Sequence, residues 1–239
     1  MSYEQSASVY DAIYENAKKN YRAESLALHA LIGANCASGG KRLLDVACGT
    51  GLHDQYLVGH YDVEGLDLSE AQIAIARARL PKMTFYLDDM VNFSLGTRYD
   101  VITCLFSAIG YIRPTELDAT IATFEQHLLP GGVIIIEPWL MPHMLRLGNV
   151  GVDVVEEADR KIARFCNISL DGNVTTLTMH HMVATSEGTD YFVEEHTTTM
   201  FTEIEFHQAF AAHGLMSSYY QPGISANGRG VLIGRKALS

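Results

Sequence analysis

Apolar positions along this chain change period several times, and each change marks an element. Residues 3 to 35 carry Tyr3, Tyr10, Ile13 and Tyr14, then Leu26, Ala27, Ala30 and Leu31, at the spacing that predicts two helices. Leu43 to Val46 read as a short strand running into a glycine-bracketed turn, Ala47-Cys48-Gly49-Thr50-Gly51, after which LHDQYLVG returns to helical spacing. A β-α unit repeats next, as strand 62–67, helix 69–80 and strand 82–87. Ser69 is placed as its N-cap, Ile73, Ala76 and Leu80 form the buried stripe, and Pro81 stops the helix. Tyr99 to Phe106 and Gly132 to Glu137 are continuous apolar runs of the kind buried on both faces of a parallel sheet. Between them Leu117, Ile121, Phe124 and Leu128 make one helical core stripe.

From about residue 150 the pattern turns to alternation. The segments ARFCNISL, TTLTMHHMVAT and YFVEEHTTTMF, separated by turns at Asp171-Gly172 and SEGTD, predict an antiparallel meander of about three strands inserted as a second layer. A helix over 203–213, with Ile204, Ala209 and Phe210, and strands near 215–221 and 229–235 return to the main sheet. The expected class is α/β.

Composition narrows the function classes. At 48% hydrophobic and 19% charged, the 239 residues form an ordinary globular chain, long enough for one large domain or a domain with an insertion. A formal net charge of -11 without any lysine-rich run argues against a nucleic-acid partner, while a small anionic substrate needs only one local arginine. No apolar run approaches the ~18 residues of a membrane span, and the N-terminus lacks a basic start and an apolar signal core. A soluble cytoplasmic protein with no membrane partner is expected. The cysteines at 36, 48, 104 and 166 have no C-x-x-C spacing, and the histidines have no paired arrangement, so free buried thiols and no metal site are expected.

The chemistry centres on the glycine turn. Gly49 and Gly51 permit left-handed backbone and a close approach by a ligand, which suits a nucleotide cofactor. The dinucleotide fingerprint G-x-G-x-x-G/A fails, because its third position falls on Asp54. What is left is an acid, Asp45, before the turn and a second acid, Asp67, at the end of the next strand, where it suits the hydroxyls of a ribose.

The ordered set DVACGTG, GLDLSEAQIAIAR, DDM at Asp88 to Met90, YDVITCLFSAIGYI and LLPGGVIIIEPW resembles the class I S-adenosylmethionine (SAM) dependent methyltransferases over about residues 40 to 139. The TCLFSAIG, EPW and terminal GRG blocks, with the YDAIY start, are similar to N-methyltransferases of nucleotide-linked amino sugars. The resemblance implies a Rossmann-like, mainly parallel seven-stranded sheet, divided into a helical lid (1–40), a SAM-binding core (41–148), an antiparallel insertion over the acceptor site (149–201) and a completing helix and strands (202–239). It places the methionyl end of SAM over Ala47, Gly49, Thr50 and Gly51, with Asp45 near its ammonium and Tyr14 reaching it from the lid. Asp67 takes the ribose, Asp89 the adenine amino group, and Met90, Leu68 and Leu105 pack around the rings. Taken singly, Asp67 and Asp89 are also ordinary turn formers.

For the acceptor, the resemblance points to Ser107 and Tyr111 after the fourth strand, to Glu137 and Trp139 after the fifth, and to His180 or His181, of which alternation lets only one face a pocket. Tyr111, Glu137 and His180 are the candidate catalytic groups. The sugar enzymes commonly carry histidine where this chain has Tyr111, and a phenol of pKa ~10 is a poor base at neutral pH. Either proximity suffices or the acceptor differs. Arg229, between Gly228 and Gly230 after Asn227, is the candidate to hold a diphosphate, with an exposed hairpin arginine as the plain alternative. The expected activity is SAM-dependent N-methylation of a nucleotide-linked, dTDP-type amino sugar. The alternatives are N-, O- or carboxyl-methylation of another small metabolite, or a SAM-binding interaction protein without catalysis. The oligomeric state is open, with a homodimer as the candidate.

Overall fold

The computed structural model describes residues 5–17, 19–225 and 228–238, so Tyr3 and Asn227 lie outside it. In chain order, α1 (Ala7–Asn16) and α2 (Tyr21–Asn35) precede β1 (Arg42–Val46), α3 (Asp54–Leu57), β2 (Asp62–Asp67), α4 (Glu70–Arg79) and β3 (Thr84–Leu87). Then come β4 (Tyr99–Cys104), a 3-10 turn (Ala108–Tyr111), α5 (Leu117–Gln126) and β5 (Leu128–Ile136). The inserted strands are β6 (Gly151–Glu156), β7 (Arg160–Asp171), β8 (Val174–Thr185) and β9 (Gly188–Thr199), and α6 (Glu203–Ala212), β10 (Met216–Tyr220) and β11 (Val231–Arg235) close the chain.

The main sheet has seven strands in the order β10-β11-β5-β4-β1-β2-β3. Pairings from β5 through β3 are parallel, while β11 runs antiparallel to β5 and β10 to β11. Successive side chains point to opposite faces, so the apolar runs of β1, β4 and β5 supply both. Leu43, Val101, Val133 and Ile135 meet Leu28 and Ile32 of α2 on one side. Leu44, Ile102, Ile134 and Ile136 meet Ile121 and Phe124 of α5 and Phe206 and Phe210 of α6 on the other. The Ser69 hydroxyl caps α4 by accepting from the Gln72 N–H at 3.3 Å, and Thr202 and Glu205 form a reciprocal capping box on α6.

The insertion has four strands, in the order β6-β7-β8-β9, where about three are expected from the sequence. The additional strand, β6, hides its signal: Val152 and Val154 lie on the outer face, each 56% exposed, while Asp153 and Val155 point inward. The inner face takes α1 as its cover, with Val9 and Ile13 packed on Val155 and Ile162. A second correction concerns the glycine turn. The helix after it, α3, is a single turn of four residues, so the long helix suggested by LHDQYLVG does not form. Strand β4 also ends two residues short of Phe106, because Phe106 and Ser107 take left-handed φ angles of 49° and 70°.

Candidate active site

The carboxyl ends of β1, β2, β3 and β4 open onto a cavity of about 450 Å³. Its walls are Ala47 and Gly49 after β1, Asp67 and Leu68 at the end of β2, Asp88, Asp89 and Met90 after β3, and Leu105 and Phe106 after β4. Tyr10 of α1, Tyr111 of the 3-10 turn, and Glu195 and Thr197 of β9 also line it. A second groove of about 810 Å³ lies at the opposite ends of the strands, beside Arg42 and Asp62. Ligands of open α/β sheets sit at carboxyl ends, which favours the first.

The turn is built from left-handed residues: Ala47 at φ 58°, Gly49 at 58° and Gly51 at 76°. Asp67 holds it in place, accepting from the Gly49 N–H at 2.8 Å through one oxygen and from the Ser69 N–H at 2.9 Å through the other. Asp89 accepts from the Val91 N–H at 3.0 Å. Both acids are therefore turn formers and cavity walls at once, since carboxylate oxygens keep further lone pairs for a ligand.

Gln72 is a site residue that the sequence did not single out. It lies on α4 three residues after the cap, is 2% exposed, lines the cavity, and finds no hydrogen-bond partner among the described residues for either amide atom. An amide buried in this way costs about 1–3 kcal/mol unless something pairs with it. The only sequence signal is a polar residue in the first turn of a helix that starts at a strand's carboxyl end.

Ser107, Glu137, Trp139 and Arg229 gather beside the cavity, behind Phe106. Glu137 is fully buried and clamps the left-handed turn, accepting from the Phe106 N–H at 2.8 Å and from the Ser225 hydroxyl at 2.6 Å. Occupied in this way, Glu137 does not line the cavity. Arg229 donates to the Ser107 hydroxyl and lies 5.2 Å over the Trp139 ring. Burial lowers its pKa, opposed by Glu137. The exposed hairpin reading of Arg229 is corrected: the side chain turns inward.

Other expected residues sit elsewhere. Asp45 lies beneath the turn at 3% exposure, accepting from the Thr103 hydroxyl at 2.6 Å. It faces the fully buried Asp54, and burial foremost pushes both carboxyls upward, that of Asp54 further raised by Asp45. Thr50 turns to Asp11 of α1 at 2.7 Å, and neither Thr50 nor Gly51 lines the cavity. Tyr14 stands behind the wall, edge-on to Phe106 with centroids 5.0 Å apart, its hydroxyl accepting from Arg164 at 3.2 Å. His180 is on the outer face of the insertion, bonded to the Tyr191 hydroxyl at 2.7 Å, because alternation turns His181 inward in its place.

A polar chain on the inner face of β9 completes the site. The Tyr111 hydroxyl is 2.8 Å from His196 Nδ1, and His196 Nε2 is 3.5 Å from Glu194 Oε2. Glu194 Oε1 accepts from the backbone N–H groups of Gln5 and Ser6 at 3.0 and 3.1 Å. Burial raises the Glu194 carboxyl, but His196 and the Ser6 and Gln5 donors outweigh it and hold it at about 2. His181 stacks on Phe192 and lies 4.0 Å from the same carboxylate.

These residues fit SAM. A glycine cradle, paired carboxylates, an amide without a partner among the described residues and apolar walls at Leu68, Met90 and Leu105 suit a molecule with a charged amino-acid end, a diol and a flat base. Residues 43–132 match the family model of a methyltransferase domain. Fold and site together define a class I SAM-dependent methyltransferase. Over 231 residues, 95% of this chain and 96% of the relative, the sequence is 38% identical to dTDP-3-amino-3,4,6-trideoxy-alpha-D-glucopyranose N,N-dimethyltransferase of Streptomyces venezuelae. The crystal structure of Streptomyces venezuelae DesVI superimposes with a TM-score of 0.90 at 38% identity, covering 97% of this chain and 98% of that one. SAM-bound CalS10, an amino pentose methyltransferase from Micromonospora echinaspora, gives 0.86 at 36% identity over 96% and 97%. The chain belongs to this family of SAM-dependent sugar N-methyltransferases.

Proposed function

We propose that this enzyme N-methylates an amino sugar carried on a nucleoside diphosphate of the dTDP type. The observation that carries the reading is correspondence along nearly the whole chain, inserted sheet included, with a relative named for that class of acceptor. When bound, SAM supplies a sulfonium methyl group open to in-line attack. The chain's own task is to hold an amine with a free lone pair against that group and to exclude water.

Roles follow from placement. Asp67 accepts from the ribose hydroxyls and Asp89 from the adenine amino group, with Met90, Leu68 and Leu105 against the rings and Gln72 supplying both a donor and an acceptor. Residues 1–40 act as the lid, residues 41–148 hold the cofactor, the insertion over 149–201 covers the acceptor, and 202–239 complete the sheet. Support for the lid comes from α1, which bridges Asp11 to Thr50 and Arg79 on one side and Asn16 to the Val154 carbonyl on the other. Tyr111 borders the acceptor amine. Arg229, its guanidinium fixed by Trp139 and Ser107, meets the diphosphate as a two-pronged donor.

The same reading places the enzyme in the cytoplasm, acting on a small molecule without a nucleic-acid partner, and as a homodimer. The net charge of -11 disfavours polyanions, and no helix among the described residues is long and apolar enough to cross a membrane. The homodimer is supported by the outer face of the insertion, where Val152, Val154, Phe165, Met182 and Tyr191 are exposed together.

Steady-state kinetics with matched pairs of amino sugars, nucleotide-linked and free, test the reading. The linked sugars should be preferred, and Arg229→Ala should raise their KM by the equivalent of about 1.5–3 kcal/mol while SAM affinity is unchanged. Lysine at this position should rescue only in part. Equal kcat/KM for free and linked sugars, or an unchanged KM in Arg229→Ala, would remove the diphosphate from the reading.

A further inference from the structure

An amine entering at neutral pH arrives mainly as an ammonium and cannot attack until it loses a proton. Tyr111 is a polar side chain of the cavity wall, with Tyr10, Glu116, Glu195 and Thr197, and is proposed to border the acceptor; a phenol alone is a poor destination for that proton. Its hydroxyl, however, is already joined to an imidazole, at 2.8 Å from His196 Nδ1. His196 is 1% exposed, and its other nitrogen faces a carboxylate at 3.5 Å.

We propose that His196 is the proton acceptor for the substrate ammonium, reached through the Tyr111 hydroxyl, with Glu194 positioning it and linking it to the N-terminal segment. This rests on the amino-sugar reading. The step balances: one ammonium N–H bond breaks as its proton passes to Tyr111 Oη, and the original phenolic proton passes to His196 Nδ1. The amine keeps its electron pair, Tyr111 ends neutral, and the charge moves onto the imidazole. Accepting at Nδ1 requires the tautomer that carries its proton on Nε2, and the Glu194 carboxylate on that side favours it.

The surroundings agree with this direction of transfer. Glu194 stays ionised across the physiological range, held by the Ser6 and Gln5 N–H groups as well as by His196. It therefore stabilises the imidazolium once formed. Among the described residues, the titratable groups that face His196 are Tyr111 on the 3-10 turn, Glu194 on its own strand and His181 on β8, with Arg164 of β7 and Asp153 of β6 beyond them and Tyr10 of α1 toward Tyr111. Desolvation foremost lowers the His181 pKa, so this neighbour adds no positive charge at neutral pH. Since Glu194 binds the backbone at residues 5 and 6, the acceptor's alignment is coupled to the docking of the segment that leads into α1.

The test is the pH profile of kcat/KM for the full-length enzyme with SAM and an amino-sugar acceptor it methylates. His196→Gln and Tyr111→Phe should each lose about a hundredfold at neutral pH. Both should recover to within a few-fold of the parent at alkaline pH, where the amine is deprotonated in solution, with SAM affinity unchanged. Glu194→Gln should lose part of the activity at neutral pH and regain it at alkaline pH, because the imidazole then lacks the carboxylate that orients its Nε2 side. If His196→Gln does not fold, Tyr111→Phe carries the same expectation, since it keeps the imidazole and breaks the path to it. Variants that retain the parental profile, or lose the same fraction at every pH as a purely structural residue would, overturn the proposal. An enzyme that methylates no amine would take the amino-sugar reading down with the relay, whereas one that methylates amines with unaltered variant profiles sinks the relay alone.

Discussion

Asp67 ties the backbone N–H groups of Gly49 and Ser69 and still faces the cavity. Truncation to alanine would disturb the turn, so Asp67→Asn is the cleaner probe. It should weaken SAM binding by the equivalent of about 1.5–3 kcal/mol, and calorimetry showing an unchanged Kd in the folded variant would put the cofactor elsewhere. Asp54, which breaks the dinucleotide fingerprint, is buried against Asp45, and among the described residues no fixed donor bonds to either of its oxygens. Burial, then Asp45, raises its pKa. Well below pH 4, at about pH 3 and lower, both the folded and unfolded forms are protonated and the raised pKa costs no stability. As pH rises, the unfolded chain ionises first, so the pair draws on stability increasingly up to the raised folded pKa. Asp54→Asn should therefore raise Tm over the parent by a margin that is small near pH 4 and grows toward neutrality. A margin flat with pH would mean that the carboxyl is not held protonated.

Among elements, the β-α unit around α4 was the most legible, because capping, apolar stripe and proline stop agree. Ser69→Ala should cost about 1 kcal/mol, read by denaturant melts. Its neighbours were less legible for physical reasons. The segment after Gly51 has helical spacing but collapses into one turn, since Asp54 is drawn under the glycine loop against Asp45. Strand β6 places Val152 and Val154 outward and Asp153 inward, where it pairs with Arg164 at 2.7 Å, an inversion that alternation cannot reveal. The α1 element is held by Val9 and Ile13 against the insertion rather than against the main sheet. Ile13→Ala, a change of the kind that costs about 2–5 kcal/mol in a core, should speed amide exchange across residues 7–16 first and leave β4 protected. Simultaneous loss of protection in both would show that α1 is not a separate lid.

At the scale of the molecule, the parallel sheet could be read directly from its doubly apolar strands, and the cofactor walls from the acids at their ends. The acceptor side could not. Glu194 meets residues 188 and 189 positions earlier in the chain, and His196 meets Tyr111 across 85, so no local spacing signals either contact. His180, Glu137 and Asp45 were plausible by residue type, yet strand alternation, a clamped turn and a second buried acid direct them away from the cavity. The exposed apolar face of the insertion tests the proposed homodimer: the parent should sediment as a dimer and Val154→Lys should shift it toward monomer, whereas a monomeric parent would contradict the proposal and an unchanged dimer would move the interface elsewhere. Methyl transfer to the nitrogen of a nucleotide-linked sugar is tested by incubating the enzyme with SAM labelled with carbon-13 on its methyl group and a dTDP-linked amino sugar, then locating the label by NMR. The label should appear on the sugar nitrogen. Label on an oxygen, or none transferred to any amino sugar in a panel, would contradict it.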